Sequence, residues 1–413
     1  MKRISLTFLA FISLFSLYGK EIEVCSSCEV KTIKDAVALS HDGDVIVIKE
    51  GVYKEHDILV NKSIHIKGVD GPIVDGENKE TIFRFSADNF SISGLEIINV
   101  GRSYTKDFAA ILVSKSDGFL IENNVFKHVF FGILVEKSKN GQVRNNMLSS
   151  EAESQANSGN GVHLWHCSKM VVANNELSGL RDGIYFEFVK NSKVFGNKSI
   201  GNLRYGLHFM FSNENEYYDN VFKDNGAGVA IMFSKFVKMH DNRFEHNWGT
   251  ASYGLLLKEI YDAEIINNVF DQNTIGISVD GSTRINYTNN TFSRNGWAIT
   301  IIGACYENVF SRNNFLNNAL DLSYNSKINS NKFENNYWSE YAGYDLDRNG
   351  IGDVPYRPVK LFSYIVHKTP ETIILLRSMF VDIINFSEKV SPVFTPDNLV
   401  DSNPLMHRID DSN

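Results

Sequence analysis

The sequence predicts a right-handed parallel β-helix, an all-β solenoid built from coils of about 22 residues. Two markers indicate this fold because they recur along the chain in phase. The first is Asn-x-(Phe/Leu), whose asparagine falls at 124, 146, 175, 197, 220, 242, 268, 290, 313 and 331. The second is Gly-apolar-x-apolar, whose glycine falls at 132, 161, 183, 206, 228, 254 and 276. From the second copy of the asparagine marker, both series advance by 29, 22, 23, 22, 26 and 22 residues, which indicates one repeating unit.

Within each unit the apolar residues alternate, which is typical of a strand. In the stretch RYGLHFMF, Leu207, Phe209 and Phe211 are expected to point into the solenoid, and His208 and Met210 outward. A single coil cannot bury its apolar side alone, so we expect ten to twelve coils to stack at about 4.8 Å. The repeated asparagines and glycines are assigned structural roles at the corners, where unusual backbone angles are required.

The N-terminal end carries an export signal and then a cap. Residues 1–19 combine a positive start with a short apolar stretch, as a signal peptide does, so the protein is predicted to be periplasmic. The β-helix with its N-terminal cap is assigned to 20–338. Within it, residues 31–52 indicate a short helix followed by a strand, and that helix is expected to cover the open end of the solenoid.

The C-terminal part, residues 339–413, is predicted to contain a loop, an amphipathic helix and a tail. The helix is expected to begin at Thr369-Pro370 and to end near Ser387, with apolar residues such as Ile373 and Phe380 on it. Two roles remain open for this helix, namely packing on the end of the rod or docking on a membrane partner. The tail is expected to be extended and polar.

The four cysteines form one close pair and two isolated residues. Cys25 and Cys28 form the motif CSSC, for which a disulfide, a soft-metal site and a redox pair all remain open. Cys167 and Cys305 lie about six coils apart, near 29 Å at 4.8 Å per coil. They therefore cannot form a disulfide, which needs Cα atoms within about 7 Å.

Charge and the absence of one motif argue against two classes of function. The net charge is −8 with Lys and Arg scattered, so nucleic acid is not expected as a partner. The chain has no GxxxxGK[ST] motif, so it is not expected to use ATP itself.

The outward residues of the glycine-led strands change character between residues 161 and 233. The first outward column is Leu134, His163, Tyr185, His208, Ala230, Leu256 and Ser278. The second outward column is Glu136, Trp165, Glu187, Met210, Met232, Lys258 and Asp280. Contiguous exposed apolar surface usually marks a binding site. Two insertions, 149–160 and 245–253, bracket this face, and we expect them to form the walls of an exposed groove.

This face predicts a binding site for a client or partner protein. Its expected residues are His163, Trp165, Tyr185, Glu187, His208, Met210, Met232 and, from the second insertion, Trp248. The residue types also predict copper, because thioether sulfur and imidazole nitrogen suit copper(I). One candidate copper cluster is His208, Met210 and Met232, and a second is His163, His166 and Cys167. The alternative is that these side chains dock a protein without metal.

A calcium site is a further candidate. Asp345, Asp347, Asn349 and Asp353 have the spacing of the first nine positions of a calcium-binding loop. Tyr356 replaces the usual glutamate at the twelfth position. A metal-free Asx turn is the alternative, and either would fold the C-terminal cap.

An enzyme of this architecture would typically cleave polysaccharides, with several carboxylates projecting together. Here Glu187 stands alone among aromatic residues, so no catalytic residue is predicted and the chain is not expected to be an enzyme. A secreted polysaccharide lyase or hydrolase of the β-helix class is the alternative.

Several stretches of the chain resemble the NosD family. They are DGIYFEF, RYGLHFMFSN, GAGVAIMFSK and NYWSEYAGYDLDRNGIGDVPYRP, preceded by GDVIVIKEGVY, and the resemblance extends from about residue 31 to about residue 406. It implies a periplasmic accessory protein that helps to mature the copper-sulfur centre of nitrous-oxide reductase. It further implies an ABC-type ATPase and permease, the reductase and a copper-carrying lipoprotein chaperone as partners. The resemblance does not assign copper ligands to particular residues here.

Overall fold

The computed structural model describes residues 19–103, 105–324, 330–390 and 399–410. Residues 1–18, which hold nearly all of the predicted signal peptide, lie outside these ranges. The described chain forms a right-handed parallel β-solenoid with three parallel sheets, so the predicted fold class is confirmed.

The three sheets run along the rod, and every coil between the two ends contributes one strand to each. The first sheet contains Glu21–Val24, Val45–Ile48, His65–Gly68, Ser91–Ser93, Leu120–Glu122, Gln142–Arg144, Val171–Ala173, Lys193–Phe195, Glu216–Tyr218, Lys238–His240, Tyr261–Ile266, Thr283–Thr288, Val309–Ser311 and Lys332–Glu334. The second contains Val52–Lys54, Ile73–Asp75, Glu96–Ile98, Val125–Lys127, Met147–Ser149, Glu176–Ser178, Lys198–Ile200, Val221–Lys223, Arg243–Glu245, Val269–Asp271, Thr291–Ser293, Asn314–Leu316 and Tyr337–Trp338. The third contains Ile58–Val60, Phe83–Phe85, Ala109–Ser114, Phe131–Glu136, Val162–Trp165, Asp182–Glu187, Tyr205–Met210, Ala227–Met232, Leu255–Lys258, Ile275–Asp280, Trp297–Ile302 and Leu320–Tyr324.

The solenoid is longer than the expected ten to twelve coils. In the described residues the first, second and third sheets have 14, 13 and 12 strands. The additional coils come from the chain before residue 100, where the asparagine and glycine markers are absent but apolar residues such as Ile46, Ile66 and Ile92 still fill the interior. The markers therefore identify coils only where the corners use the asparagine ladder.

The interior consists of stacked apolar side chains, as the alternation predicts. Leu207 and Phe209 are fully buried. Phe211, which was also expected to point inward, is instead 40% exposed and has a φ of 50°. The strand ends at Met210 and the chain turns there, so the alternation does not continue to the next residue.

A ladder of buried asparagines joins successive coils at the corner between the first and second sheets. The side-chain amide of Asn220 donates to the carbonyls of Val194 at 3.0 Å and Tyr218 at 2.8 Å, and to Oδ1 of Asn242 at 3.0 Å. Its own Oδ1 accepts from the backbone N–H of Asn197 at 3.0 Å. The Asn220 amide therefore bonds to its own coil and to both neighbours, in a place that water does not reach.

The C-terminal end of this ladder differs from the sequence prediction. After Asn313 the next member is Asn336, whereas Asn331 belongs to a separate ladder that begins at Asn308. The last member is Asp401, whose Oδ2 accepts from the Asn336 backbone and side chain at 3.1 and 3.0 Å and from Nε1 of Trp338 at 3.0 Å. The Asp401 carboxylate accepts these bonds and, unlike an asparagine amide, has no N–H group that needs an acceptor on a further coil. It can therefore end the ladder.

The tail after residue 398 packs on the rod and is not simply extended and polar. Leu399 and Asp401 are buried, and Asp401 pairs with Phe333 and Tyr356 through backbone bridges. Further along, Ile409 donates its N–H to Oδ1 of Asn314 at 3.0 Å. The tail thus forms the C-terminal cap of the described rod.

Helix α1 lies at the N-terminal end, where the sequence places a capping helix. It spans Ile33–Leu39, begins with Thr32 as its N-cap and buries Ile33, Ala36 and Val37. The Thr32 hydroxyl accepts from the N–H of Asp35 at 3.1 Å, which satisfies one of the free donors of the first turn. The helix packs against the first strands of the first and third sheets.

The predicted C-terminal helix is divided into separate pieces. Helix α2 spans Leu361–Lys368, a 3₁₀ helix spans Pro370–Leu375, and α3 spans Met379–Val390. The single-helix prediction is wrong because the chain reverses between the pieces, which lets α2 and α3 pack together and bury Phe362, Val366 and Val381 against the end of the third sheet. Across the described ranges, every helix is too short or too polar to span a bilayer.

The cysteines behave as two distinct sets. Cys25 and Cys28 form a disulfide with Cα atoms 5.0 Å apart. Cys167 and Cys305 are buried free thiols, as their separation along the rod requires.

We predict that the asparagine ladder contributes strongly to stability. Asn220→Ala takes the acceptor from the backbone N–H of Asn197 and removes a donor from the carbonyls of Val194 and Tyr218, so the free energy of unfolding should fall by roughly 3 kcal/mol. Urea unfolding followed by circular dichroism measures this change. Asn286→Ala, which removes an exposed asparagine from a strand, is the control and should have little effect. Equal stability of the two variants would contradict the ladder's importance.

Candidate functional site

The register of the third sheet brings the predicted binding residues side by side on its outer face. His163 pairs with Tyr185, and Tyr185 with His208. In the second outward column, Trp165, Glu187, Met210 and Met232 are successive partners on four adjacent strands. The residues therefore form two parallel rows, with neighbours in each row about 4.8 Å apart along the rod.

The first outward column is more deeply buried than a surface groove would be. His208 is 6% exposed and Ala230 is fully buried, although both side chains leave the outer side of the sheet. The Tyr205 ring lies 4.9 Å from the His208 ring and covers it. Tyr205 is the first residue of the same strand, Tyr205–Met210. The expectation of an exposed groove is thus wrong at His208 and Ala230, whereas His163, Tyr185 and the second column are partly exposed.

A buried ion pair lies beside His208. Asp182 is fully buried and accepts from Nε of Arg204 at 2.8 Å, with a second bond from Nη2 to its other oxygen. Burial alone would raise the pKa of Asp182, but the paired Arg204 guanidinium holds it below the usual value. Arg181, also largely covered, has its pKa lowered by burial. The sequence reasoning missed these residues because they precede the glycines, where strand alternation does not define orientation.

Two histidines in this column carry nitrogen atoms without hydrogen-bond partners. Both ring nitrogens of His208 and Nε2 of His163 are buried and unpartnered. Nδ1 of His208 is 3.8 Å from Oδ2 of Asp182, beyond hydrogen-bond distance. Burial lowers the pKa of His163 to about 3, so its ring is neutral at neutral pH. Buried polar atoms without partners are rare in folded proteins, and a functional role is one of their established explanations.

Tyr185 separates the two histidines and contacts a methionine. Its ring lies 4.6 Å from the His163 ring and 4.8 Å from the His208 ring. Its hydroxyl donates to the sulfur of Met210 at 3.7 Å. Burial, followed by the nearby Glu187 carboxylate, raises the pKa of Tyr185 to about 12, so it remains a neutral donor. His163 and His208 therefore face the same region but do not touch.

The second candidate copper cluster is not assembled. Cys167 points into the rod, where it is 2% exposed and its thiol lies 3.5 Å from the carbonyl of Val135. Burial raises the pKa of the Cys167 thiol to about 11. His166, the next residue back, lies on the outer turn and stacks on Phe188 at 4.6 Å. The backbone turn between them directs the two side chains to opposite sides, so with His163 they cannot share one ion.

An exposed aromatic ladder, which the sequence reasoning missed, runs beside the second outward column. It consists of His166, Phe188, Phe211 and Phe233, whose successive ring centroids are 4.6, 5.2 and 5.1 Å apart. All four have φ between 50° and 54°, a conformation that bulky residues seldom adopt. The signal in the sequence is the phenylalanine that directly follows each strand, in the motifs EF and MF.

The two insertions contribute unequally. In the first, Asn160 approaches Nδ1 of His163 at 3.5 Å and accepts from Nε of Arg181 at 3.1 Å, so this loop borders the histidine column. In the second, Trp248 is 64% exposed, and Gly249 bonds with Thr274 on the neighbouring coil. Trp248 thus presents a free indole at the edge of the face.

The candidate calcium loop is held by its own backbone. Oδ1 and Oδ2 of Asp345 accept from the N–H groups of Asn349 and Gly350 at 3.1 and 2.8 Å, and Asp353 accepts from Leu346 at 2.7 Å. Asp347 in turn accepts from the Asn349 side chain at 2.9 Å. Calcium is not supported here, because these oxygens already cap the turn. Throughout the described ranges, no three His, Cys, Asp or Glu side chains are placed to hold a metal ion.

We predict that His163 makes the fold sensitive to acid. Its folded pKa lies below that of an unfolded imidazole, so between about pH 6.5 and 3 the unfolded chain binds the extra proton and stability falls as pH falls. Acidification from pH 7.5 to 5.5 should destabilise the wild type by about 1 kcal/mol more than His163→Phe. Urea unfolding at both values tests this. His41→Gln, at an exposed histidine, is the control, and an equal acid response in all three proteins would contradict the prediction.

The chain is similar to known proteins over the region that carries this face. The model of the family described as "Periplasmic copper-binding protein (NosD)" matches residues 148–343, which include the whole face. A probable ABC transporter binding protein NosD from Pseudomonas aeruginosa is 26% identical over 407 residues, covering 90% of each chain. A protein of the same description from Stutzerimonas stutzeri is 26% identical and covers 84% of this chain and 83% of its own.

Solved structures share the fold at low identity. A mannuronan C-5 epimerase module from Azotobacter vinelandii has a TM-score of 0.62 at 11% identity, covering 75% of this chain and 93% of the module. An exopolygalacturonase from Yersinia enterocolitica has a TM-score of 0.54 at 12% identity, covering 77% and 78%. These similarities concern the β-helix alone. The family match and the two full-length relatives support membership of this chain in the NosD family.

Proposed function

We propose that the protein is a periplasmic accessory factor for assembly of the copper-sulfur centre of nitrous-oxide reductase. It binds the client, and copper(I) as cargo, on the outer face of the coils formed by residues 161–233. It acts with an ABC-type ATPase and permease and with a copper-chaperone lipoprotein. The family description as periplasmic and copper-binding supports this, as do the relatives described as ABC transporter binding proteins.

The observation that carries the proposal is the pair of unpartnered nitrogens on buried His208 beside two methionines. A nitrogen without a hydrogen bond can bind a metal with no competing bond to break. Met210 and Met232 are register partners on adjacent strands, and Met210 lies two residues from His208 on the same face. Copper(I) favours such soft donors, so thioethers can bind it without a cluster of carboxylates. His208, Met210 and Met232 would hold the ion.

The aromatic ladder supports docking of a protein client next to these donors. Phe188 and Phe211 are 41% and 40% exposed, directly after the strands that carry Glu187 and Met210. Exposed aromatic and methionine side chains are typical of the centre of a protein interface. Nζ of Lys137 lies 4.9 Å over the Trp165 ring and marks one border of the apolar surface.

The C-terminal hairpin is the proposed contact with the membrane transporter. One side of α3 carries Met379, Ile383, Phe386 and Val390, which are 76, 54, 68 and 70% exposed. These positions follow the spacing of a single helix face, whereas Val381 on another side is 3% exposed and packs on α2. An apolar stripe without a covering element in the described chain suits a hydrophobic partner surface.

A carbohydrate-cleaving function is less well supported. Such a site requires carboxylates free to exchange protons or attack a sugar. On this face Asp182 is buried and engaged by Arg204 through both oxygens, and the other nearby carboxylate, Glu187, has no second carboxylate as a register partner. The arrangement favours binding over glycoside cleavage.

The copper site is tested by anaerobic copper(I) titration against a competing chelator. Met210→Leu with Met232→Leu keeps the side-chain volume and removes both sulfurs, so affinity should fall at least tenfold, and His208→Ala should lower it similarly. Met147→Leu removes an exposed methionine on the second sheet and is the control. Copper content of the reductase from cells carrying each variant should follow the same order. Unchanged binding and full reductase loading in the double variant would reject the site.

The two docking surfaces are tested by co-purification from a denitrifying host, with each variant serving as the control for the other. Phe188→Asn with Phe211→Asn, which suits the positive φ, should lose the reductase and keep the ABC permease. Ile383→Ser with Phe386→Ser should lose the permease and keep the reductase. If either double variant retains both partners, the surface that it alters is not the proposed contact.

A further inference from the structure

The CSSC motif lies at the far N-terminal end of the rod, away from the face just described. Cys25 directly follows the edge strand Glu21–Val24, and Cys28 precedes Val30, which bridges back to Val24. The first sheet places this turn about five coils before the strand that carries His163, which is roughly 24 Å along the rod. The two locations therefore cannot share a ligand.

The turn keeps its shape through contacts other than the disulfide. The N–H of Cys25 donates to the carbonyl of Val30 at 3.2 Å, and the N–H of Cys28 to the carbonyl of Cys25 at 3.3 Å. The hydroxyl of Tyr53 donates to the carbonyl of Val24 at 3.0 Å, which fixes the strand that leads into the turn. The disulfide closes a loop of only four residues, and short loops gain least from such a cross-link. The bond is thus not required to define this part of the fold.

The sulfur atoms of this pair are also the accessible ones. Cys25 and Cys28 are half-buried beside the exposed Ser26 and Ser27, and the Ser27 hydroxyl lies 3.3 Å from the Cys25 sulfur. By contrast, Cys167 and Cys305 are buried, and burial raises the pKa of both thiols. Thiolate chemistry in this chain is therefore concentrated at the CSSC turn.

We propose that Cys25 and Cys28 form a second copper(I) site that is closed as a disulfide and opened by a dithiol reductant. Two thiolates favour copper(I) over harder ions. A two-coordinate ion needs sulfur atoms about 4.5 Å apart, roughly twice a metal–sulfur bond. Cα atoms 5.0 Å apart allow this separation after rotation of the side chains, with the backbone turn unchanged.

The site opens by thiol–disulfide exchange with the dithiol and then binds copper(I). A thiolate of the dithiol attacks one sulfur of the pair and breaks the Sγ–Sγ bond, giving a mixed disulfide and one free cysteine. The second thiol of the reductant then resolves the mixed disulfide, so the reductant leaves oxidised and the protein holds two thiols. Copper(I) displaces both protons and forms two copper–sulfur bonds, and its oxidation state does not change.

The site is tested by counting bound copper(I) in oxidised and dithiol-reduced protein after the reductant is removed anaerobically. Reduced wild type should bind one equivalent more than oxidised wild type, with new ultraviolet absorption from thiolate-to-copper charge transfer. Cys25→Ser with Cys28→Ser should lose that equivalent and bind like oxidised protein. Ser26→Ala with Ser27→Ala keeps both thiols and is the matched control, which should bind like wild type in each state.

Two outcomes overturn the proposal. One is an equal copper count in oxidised and reduced wild type, and the other is an extra equivalent that persists in the double-serine variant. Thermal unfolding of that variant should match reduced wild type, because the turn is held by other contacts. The Met210→Leu, Met232→Leu variant should still gain the thiol-dependent equivalent on reduction. Loss of the copper site on the 161–233 face is thereby distinguished from loss of this one.

Discussion

The buried asparagine ladder is the interaction on which the rest of the structure depends. A parallel solenoid leaves polar backbone groups at every corner, where the chain changes direction and the sheet hydrogen bonds are interrupted. A ladder amide such as that of Asn220 bonds to its own coil and to both neighbours, so it fixes the register of three coils at once. Because register in a strand determines which side chains point outward, the ladder also determines which residues share a column on the surface.

Stability and surface chemistry reside in different residues of each coil, which explains how an unusual surface can exist on a regular rod. The interior and the corners supply the stability, so the outward positions on a few coils are free to carry residues that the repeat does not need. Between residues 161 and 233 those positions hold imidazole, thioether and aromatic groups, arranged in the two outward columns and the aromatic ladder. These residues carry a local cost in stability, since buried nitrogens lack hydrogen-bond partners and phenylalanines have positive φ. Such local exceptions to good packing are typical of functional sites.

The sequence predicted the repeating coils and the N-terminal capping helix, but it missed several contacts that do not repeat. The approach of Tyr185 and His208, whose ring centroids are 4.8 Å apart, follows from the repeat, because each lies two residues after the glycine of its strand. The burial of His208 could not be predicted in this way, because Tyr205 covers it from a position before the glycine. Phe211 was placed inside because alternation alone does not reveal where a strand ends. Asp401 joins the ladder from 65 residues away, a contact that no local pattern encodes.

The rod also limits how the two proposed docking surfaces can communicate. Helix α2 packs on the strand Leu320–Tyr324, which lies five strands beyond Tyr205–Met210 in the third sheet, about 24 Å along the axis. Every intervening coil is tied to its neighbours by buried amides and stacked rings, and this packing leaves little room for one coil to shift against the next. A transporter that moves the α2–α3 hairpin would therefore displace the rod as one body. On the proposed function, the transporter's contribution to copper transfer is then to reposition the face 161–233 relative to the client, and the chemistry at that face need not change with the transporter's state.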